Sequence, residues 1–534
     1  MKLKELLQGI SVLECTADPE LEIESICYDS RKATPGSLFV AISGFASDGN
    51  RFIPMALGKG AAAVVTAKKP EGTVPYVLVE SDRMALALLG CNFYGHPAKS
   101  MTMIGVTGTN GKTSTTLLLK QVLEKTLGAK VGLIGTMANM VGDEVIPTER
   151  TTPESFELQG LFARMRDAGC THVVMEVSSH AVTLDRIGGV QFDIAAFTNL
   201  TEDHLDFHKT MDAYCDAKAE LFRRCGRAVI NVDDSYAPRF LKAAACPVLT
   251  TGVAGSADLQ AKDLELLSDG IRYTALSGGE SAAVHVPIPG RFTVYNTLTV
   301  LGIARQLGIA LSDAVAALKT VEGVKGRIEV VPAPGTDYTV LIDYAHTPDG
   351  LENVLTSVRD FCRGRIIAVF GCGGDRDPIK RPIMGEIGVK LSDVAVITSD
   401  NPRTEDPMAI IRDILAGVRE EYGTYIVVED RKSAIRYAMD IAEKDDIIVL
   451  AGKGHETYQD IGGVKLHLDE REEVAAHLAA CKQKTVTEQY RVPTGTKVEL
   501  RNRNGKIDAS SGCPLVRRLC GGKICKCGIP GCQQ

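Results

Sequence analysis

The amino-acid sequence predicts an α/β fold in three domains, and three observations predict it. From Met101 onward, short apolar runs alternate with amphipathic helical stretches, the pattern of βαβ units on a parallel sheet. The later runs are β-branched and apolar almost without interruption, so helices are expected on both faces of their sheet. The chain also carries 52 glycines, above the usual share, as many tight strand-to-helix turns require. At 534 residues, with 45% hydrophobic and 24% charged, it is long enough for three or four domains that each bury a core.

Residues 1–98 mix strand-like runs (Gly36–Ile42, Ala61–Val65, Tyr76–Val79) with turns, and His96-Pro97-Ala98 closes this smaller N-terminal α/β domain. The central domain, 99–328, begins with the run Met101–Val106. It continues through His172–Met175, Ile194–Phe197 and Ala228–Asn231 to a long helical stretch, Thr293–Lys319. The joint Gly323–Gly326 leads to a C-terminal Rossmann-like domain, 329–484. Its strands are expected at Thr339–Ile342, Ile366–Phe370, Val394–Thr398, Tyr425–Val428 and Ile447–Leu450. Residues 485–534 form a basic, Cys-rich tail, expected to be disordered.

Charge and cysteine divide the chain at the same place. The tail holds nine Lys+Arg against three Asp+Glu, so a net charge of −7 conceals a body at −13 and a tail at +6. An acidic body argues against a nucleic-acid partner. The longest apolar runs fall short of the roughly 18 residues of a membrane span, and MKLKELLQGI leads into Glu14 and Asp18 without an apolar signal core. A cytoplasmic chain without a membrane span is expected. Ten of the 15 cysteines are scattered, as idle thiols of a reducing compartment are. The other five are Cys513, Cys520, Cys525, Cys527 and Cys532, whose Cys-x4-Cys-x-Cys-x4-Cys spacing departs from standard zinc knuckles but leaves zinc as an alternative to disorder.

The chemistry concentrates where strands are expected to end. Gly108-Thr109-Asn110-Gly111-Lys112-Thr113-Ser114 joins the run Met101–Val106 to a helical stretch. Glycines let backbone N–H groups close on phosphate oxygens, the helix N-terminus adds its dipole, and Lys112 adds a point charge. Thr113 can place a hydroxyl on Mg²⁺. The usual Gly-x4-Gly-Lys-Thr spacing is not met, because position 106 is Val, but the strand–loop–helix context points to ATP or GTP. Glu176, at the end of His172–Met175, stands where a magnesium ligand is expected. The segment Asn199-Leu-Thr-Glu-Asp203-His204-Leu-Asp206-Phe-His208 reads as a second set of metal and phosphate contacts.

These motifs, with Glu176-Val-Ser178-Ser-His180 and Tyr214-Cys-Asp-Ala-Lys218, resemble the ATP-binding domain of the Mur ligase family. The resemblance implies a carbamylated Lys218 supporting a second Mg²⁺, a catalytic set of Lys112, Lys218 and His204, and Asn296 on the adenine. Arg327 and Asp343, in segments similar to the family's domain hinge, are implied to reach ATP. Metal ligands are implied at Thr113, Glu176 and carbamylated Lys218. Asp400-Asn401-Pro402-Arg403 is identical to the signature of the branch that adds meso-diaminopimelate to UDP-MurNAc-L-Ala-D-Glu. Diaminopimelate is zwitterionic at its far end, and an arginine fork suits that second carboxylate. The same resemblance carries Arg376 to that carboxylate, and Gly452 and Glu456 to the distal amine. Ser30, Thr151, Thr152, Ser178 and Arg186 resemble contacts to the UDP-MurNAc-dipeptide. The activity implied is amide ligation with ATP and Mg²⁺, by a monomer. The alternatives are lysine addition by the same ligase, a folylpolyglutamate-synthase-like ligase, and a nucleotide-dependent scaffold that is no ligase.

Overall fold

A computed structural model describes residues 1–44, 47–148, 150–419, 421–483 and 498–501. The chain divides into two compact units. The first comprises Met1–Lys262, Thr274–Val284 and Val294–Val321, and the second comprises Asp263–Tyr273, His285–Thr293 and the chain from Glu322 onward.

The first unit contains two sheets. The smaller has strand order Val12–Cys15, Tyr76–Val79, Ala63–Thr66, Ser37–Ala41, Ser25–Cys27, parallel except at the antiparallel first pair. Helix Asp82–Phe93 covers it, started by the Ser81 hydroxyl accepting from Met84 N–H at 3.2 Å. The larger sheet runs in parallel through Val248–Gly252, Cys225–Asn231, Phe192–Phe197, Thr102–Thr107, His172–Glu176 and Val131–Ile134. Thr102–Thr107 thus lies inside the sheet, flanked by the two strands whose ends carry Glu176 and Asn199. That order brings distant sequence motifs to one edge.

The second unit is a sheet of order Glu329–Val331, Thr339–Asp343, Ile447–Ala451, Ile366–Phe370, Val394–Ile397, Thr424–Val428, Val498–Arg501, antiparallel only at its two outer pairs. Its two faces bury different side chains. Ile366, Ala368 and Phe370 pack with helices Pro348–Arg359, Lys380–Leu391 and Pro407–Leu415, while Ile367 and Val369 pack with Arg431–Ile441 and Val474. The uninterrupted apolar strands are therefore covered on both sides, as their pattern predicts. Thr347, Asp406 and Asp430 cap these helices, and Pro348 and Pro407 sit in first turns, where a missing N–H costs nothing.

Three findings depart from the sequence reading. The helical stretch Thr293–Lys319 is two helices, Arg291–Gln306 and Leu311–Leu318, separated at Gly308, whose φ of 82° no helix accommodates. The apolar spacing continues across the break and hides it. The strands Leu259–Leu267, Gly270–Ser277 and Glu280–Val286 were not anticipated, because taken together most of their residues stay outside the core and leave no sustained apolar run. Finally, Val498–Arg501 of the expected disordered tail pairs with Thr424–Val428. The five tail cysteines lie outside the described residues.

The Arg431–Glu470 ion pair of the second unit is wholly buried. Arg431 donates to Glu470 Oε1 at 2.8 Å, with exposures of 0% and 1%, and its Nη2 also donates to the carbonyl of Ala451 at 2.8 Å. Arg431→Met strands a buried carboxylate and should lower stability by about 3–5 kcal/mol. The double variant Arg431→Met/Glu470→Leu should recover part of that loss. Urea unfolding of both checks this, and a single variant with the wild-type midpoint would contradict it.

Candidate functional site

In the first unit, the loop Gly108–Thr113 joins strand Thr102–Thr107 to helix Lys112–Leu127. Gly108 and Gly111 hold φ of 151° and 81°, and a Cβ on either would collide with Thr198 or Asn296. The chain after strand Phe192–Phe197 braces the loop from outside. Thr109 N–H donates to the Asn199 carbonyl at 2.8 Å, Asn110 N–H to Asn199 Oδ1 at 2.9 Å, and Thr198 Oγ1 to the Asn110 carbonyl at 2.7 Å. Asn199 thus shapes the loop rather than only facing a ligand. Asn296, buried, accepts from Thr115 Oγ1 at 3.4 Å beside the start of the helix.

Lys112 folds back over the loop, its Nζ donating to the carbonyls of Gly108 at 2.9 Å and Thr109 at 2.7 Å. Lys218, on helix Met211–Ala219, donates to the same Gly108 carbonyl at 2.8 Å and lies 4.6 Å from the Tyr214 ring centroid. Its side chain is 1% exposed. Burial, reinforced by the charge of Lys112, holds the Lys218 ammonium well below the usual lysine range, against the pull of Asp203. Burial also lowers Lys112, with Glu176 and Asp203 opposing.

Glu176 ends its strand as predicted and is buried. Its Oε1 accepts from Thr113 Oγ1 at 2.9 Å and Thr136 N–H at 2.8 Å, and its Oε2 from Thr136 Oγ1 at 3.1 Å. Thr136 is a partner that sequence reading missed. It sits just past a strand end in a run without charge. The Thr113 hydroxyl and the Glu176 carboxylate form a pair of hard oxygen donors, the chemistry Mg²⁺ takes.

The acidic and histidine segment after Asn199 divides in two. His204, at φ 54°, remains half-exposed, its ring 4.9 Å from that of His180 and 6.1 Å from Tyr214. His208 turns inward instead and bonds Ser179 Oγ at 2.8 Å. Burial brings it to about 4, so it is a neutral structural group rather than an outward-facing ligand. Burial likewise lowers His180 and raises Tyr214 to about 12.

The residues expected at the UDP-MurNAc-dipeptide sit close to this carboxylate or in the smaller sheet's loops. Thr151 Oγ1 is 3.0 Å from Thr136 Oγ1, and buried Thr152 donates to the Glu176 carbonyl at 2.8 Å. Ser178 caps helix Ser179–Thr183. Arg186 pairs with Glu154 at 2.8 Å, as do Arg83 at 3.5 Å and Arg150 at 3.2 Å. Ser30 is buried, its hydroxyl 3.4 Å from Met55 Sδ, and the neighbouring Asp29 has its carboxyl held down at about 2 by Arg31.

The second unit gathers its chemistry at the C-terminal ends of four parallel strands. After Thr339–Asp343, buried Asp343 accepts from the N–H groups of Ile328 at 2.8 Å and Ala345 at 2.9 Å, and burial raises its pKa. Arg327 lies 5.9 Å from the Tyr344 ring centroid. After Val394–Ile397, the turn Asp400–Arg403 brings its arginine to φ 51°, with Nη1 donating to the Gly374 carbonyl at 2.7 Å. Arg403 N–H also donates to the Asp460 carbonyl at 2.9 Å. Asn401 Nδ2 donates to Glu456 Oε2 at 2.9 Å. Gly452, at φ 116°, donates its N–H to the Asp343 carbonyl at 3.0 Å. Pro402 is buried, whereas Arg376 is exposed.

At the centre lies a residue to which the sequence reading gave no role. Lys453 is 0% exposed, pairs with Asp400 at 3.0 Å and Glu456 at 3.5 Å, and donates to Asn401 Oδ1 at 2.7 Å. Its position between two glycines at a strand end is the only signal the sequence carries for it.

Comparison with known proteins agrees along the chain. Residues 22–94 match the model described as Mur ligase family, catalytic domain. Residues 106–304 match the Mur ligase middle domain, and residues 326–454 match the Mur ligase, glutamate ligase domain. UDP-N-acetylmuramoyl-L-alanyl-D-glutamate--2,6-diaminopimelate ligase 1 of Clostridium acetobutylicum is 48% identical over 478 residues, covering 89% of this chain and 98% of that protein. The ligase of the same name, without the numeral, from Caldanaerobacter subterraneus subsp. tengcongensis is 48% identical over 484 residues, covering 90% and 99%. A solved structure of a UDP-N-acetylmuramoyl-L-alanyl-D-glutamate--2,6-diaminopimelate ligase superposes with a TM-score of 0.73 at 31% identity, covering 91% of this chain and 100% of the other. With near-half identity across nine-tenths of its length and a shared fold, this chain belongs to the Mur ligase family.

Proposed function

We propose that this chain is an ATP-dependent ligase that joins meso-diaminopimelate to UDP-MurNAc-L-Ala-D-Glu through an acyl phosphate, a step of peptidoglycan precursor synthesis. The observation that carries the reading is the Asp400–Arg403 turn, fixed by Lys453, Glu456 and the Gly374 carbonyl at one strand edge. One guanidinium nitrogen of Arg403 is committed to Gly374, which aims the fork. A carboxylate at the far end of an amino acid is the ligand such a fork takes, and Glu456 is the acceptor for the adjacent ammonium. Lysine offers the ammonium without the carboxylate.

The chemistry begins with two anions. A carboxylate must take the γ-phosphoryl group of ATP, and repulsion opposes their meeting. Lys112, the loop N–H groups and the N-terminus of a 16-residue helix supply the opposing charge. Thr113 and Glu176 would hold Mg²⁺, which, when bound, neutralises phosphate charge. The carboxylate oxygen attacks phosphorus, ADP leaves, and the mixed anhydride then accepts the amine with loss of phosphate and a proton. Asp203 and His204, on the loop after strand Phe192–Phe197, are half-exposed, and Asp203 is close enough to Lys112 to act on its charge. No enzyme nucleophile is required.

Lys218 is the group whose charge does not suit that site. A buried ammonium held well below its usual range gives up its proton more readily than a surface lysine does, and the neutral amine adds to CO₂. The product is a carbamate and one released proton. A cation beside Lys112 becomes an anion that pairs with it and offers oxygen to a metal.

Phosphate release measured with UDP-MurNAc-L-Ala-D-Glu against meso-diaminopimelate, L-lysine and L-ornithine tests the function. Turnover with diaminopimelate alone is expected, and equal turnover with lysine would sink the assignment. Arg403→Ala should raise the KM for diaminopimelate by roughly 10²-fold, the loss of about two charge-assisted hydrogen bonds, with the KM for ATP unchanged. Lys218→Ala should lower kcat by at least about 10²-fold, with partial rescue by millimolar acetate or formate in place of the carbamate. Wild-type enzyme stripped of CO₂ should lose activity and regain it with bicarbonate. Indifference to bicarbonate would remove the carbamate.

A further inference from the structure

Outside the ligase site, two helices of the second unit carry a ladder of charged pairs. Arg431 meets Glu470 at 2.8 Å, Lys432 and Arg436 both meet Glu473 at 2.8 Å, and Asp440 meets His477 at 3.0 Å. Each rung lies about one turn further along both Arg431–Ile441 and Glu470–Gln483, so the helices run parallel. Val474 and Leu478 face the sheet core, which sets Glu473, His477 and Cys481 along the flank of the helix beside its neighbour.

The last rung differs in kind. Imidazole replaces the strong cation, the acid moves to the other helix, and one turn beyond it Cys481 brings its Sγ to 3.7 Å from His477 Nε2. The ligand atoms of Asp440, His477 and Cys481 all lie within 4.8 Å of one another. A tetrahedral Zn²⁺ with bonds of about 2.0–2.3 Å separates neighbouring ligand atoms by roughly 3.3–3.7 Å, so the 3.0 and 3.7 Å about His477, with the third pair within 4.8 Å, need only small side-chain adjustments to close on the ion. Thiolate, imidazole and carboxylate together are a zinc donor set rather than one for magnesium or calcium. An ion pair alone needs no thiol at the next turn. Cys481 is exposed, so a metal has access to the cluster.

We propose that Asp440, His477 and Cys481 form a Zn²⁺ site that clips the helix Glu470–Gln483 to its parallel neighbour at the end opposite the buried Arg431–Glu470 pair. Binding releases the thiol proton, and no electron transfer is involved. The site is structural and leaves the ligase chemistry untouched.

The test uses the full chain with Cys513, Cys520, Cys525, Cys527 and Cys532 each replaced by Ser, so that tail thiols cannot report. Anaerobic titration of the metal-free protein with Co²⁺ should give one equivalent with a thiolate charge-transfer band and tetrahedral d–d bands, both bleached by Zn²⁺. Cys481→Ser and His477→Ala should each abolish the charge-transfer band, and Asp440→Asn should weaken binding at least tenfold. Equimolar Zn²⁺ should raise the thermal midpoint of the parent and leave Cys481→Ser unmoved. Unchanged ligation by Cys481→Ser shows that it is folded, and Cys481→Ala substitutes if it is not. No band in the parent, a band surviving in the Cys481 variant, or metal bound only when the tail cysteines are present would each overturn the site.

Discussion

Two lysine ammonium groups converge on one carbonyl oxygen. Lys112 and Lys218 both donate to Gly108, one from the start of the loop's helix and the other from a helix about a hundred residues further on. At that separation two full charges in a low-dielectric site repel strongly, and burial removes the water that would screen them. Glu176 and Asp203 offset part of that repulsion, and a neutral lysine or an arriving anion relieves the rest. The rest of the first unit serves the second of these. Its central strand sits between those that end at Glu176 and Asn199, the helix N-terminus opens beside them, and Glu176 is saturated with donors that hold it in place. With two lysines and a helix N-terminus set against Glu176 and Asp203, the loop suits an anionic ligand.

The second unit solves the opposite problem with the same frame. Its acids, Asp400 and Glu456, are buried or nearly so, and Lys453 compensates them from a position without solvent exposure. Beneath them, Arg431 reaches the carbonyl of Ala451, one residue before Gly452, and so ties the loop that follows to the core. Burial makes these charges directional. Each has a partner at hydrogen-bond distance, and none can be moved without leaving another uncompensated.

The sequence made some of this legible and hid the rest for physical reasons. The phosphate loop, Glu176 and the Asp400–Arg403 turn were readable because short glycine- or proline-marked segments follow apolar strands, and parallel sheets put function at those ends. Lys218 was readable only through family resemblance, since a lysine on a polar-looking helix face reads as solvated. Lys453, Thr136 and the Arg431–Glu470 pair were not readable, because burial of a charge arises from tertiary neighbours that no local pattern announces. The break at Gly308 was lost because apolar spacing on its two sides stays in phase. His208 looked like a ligand by its company and is a packing group by its environment.

The position of Lys453 has a consequence for how such enzymes diverge. Its ammonium is shared by Asp400, Asn401 and Glu456, which come from two separate loops. A lineage that exchanged one of these loops for another amino-acid substrate would leave a solvent-free charge without its full set of partners, a penalty incurred before any benefit to the new substrate. Changes of preference should therefore be strongly epistatic, the two loops evolving together or not at all, while the sheet beneath them is free to drift.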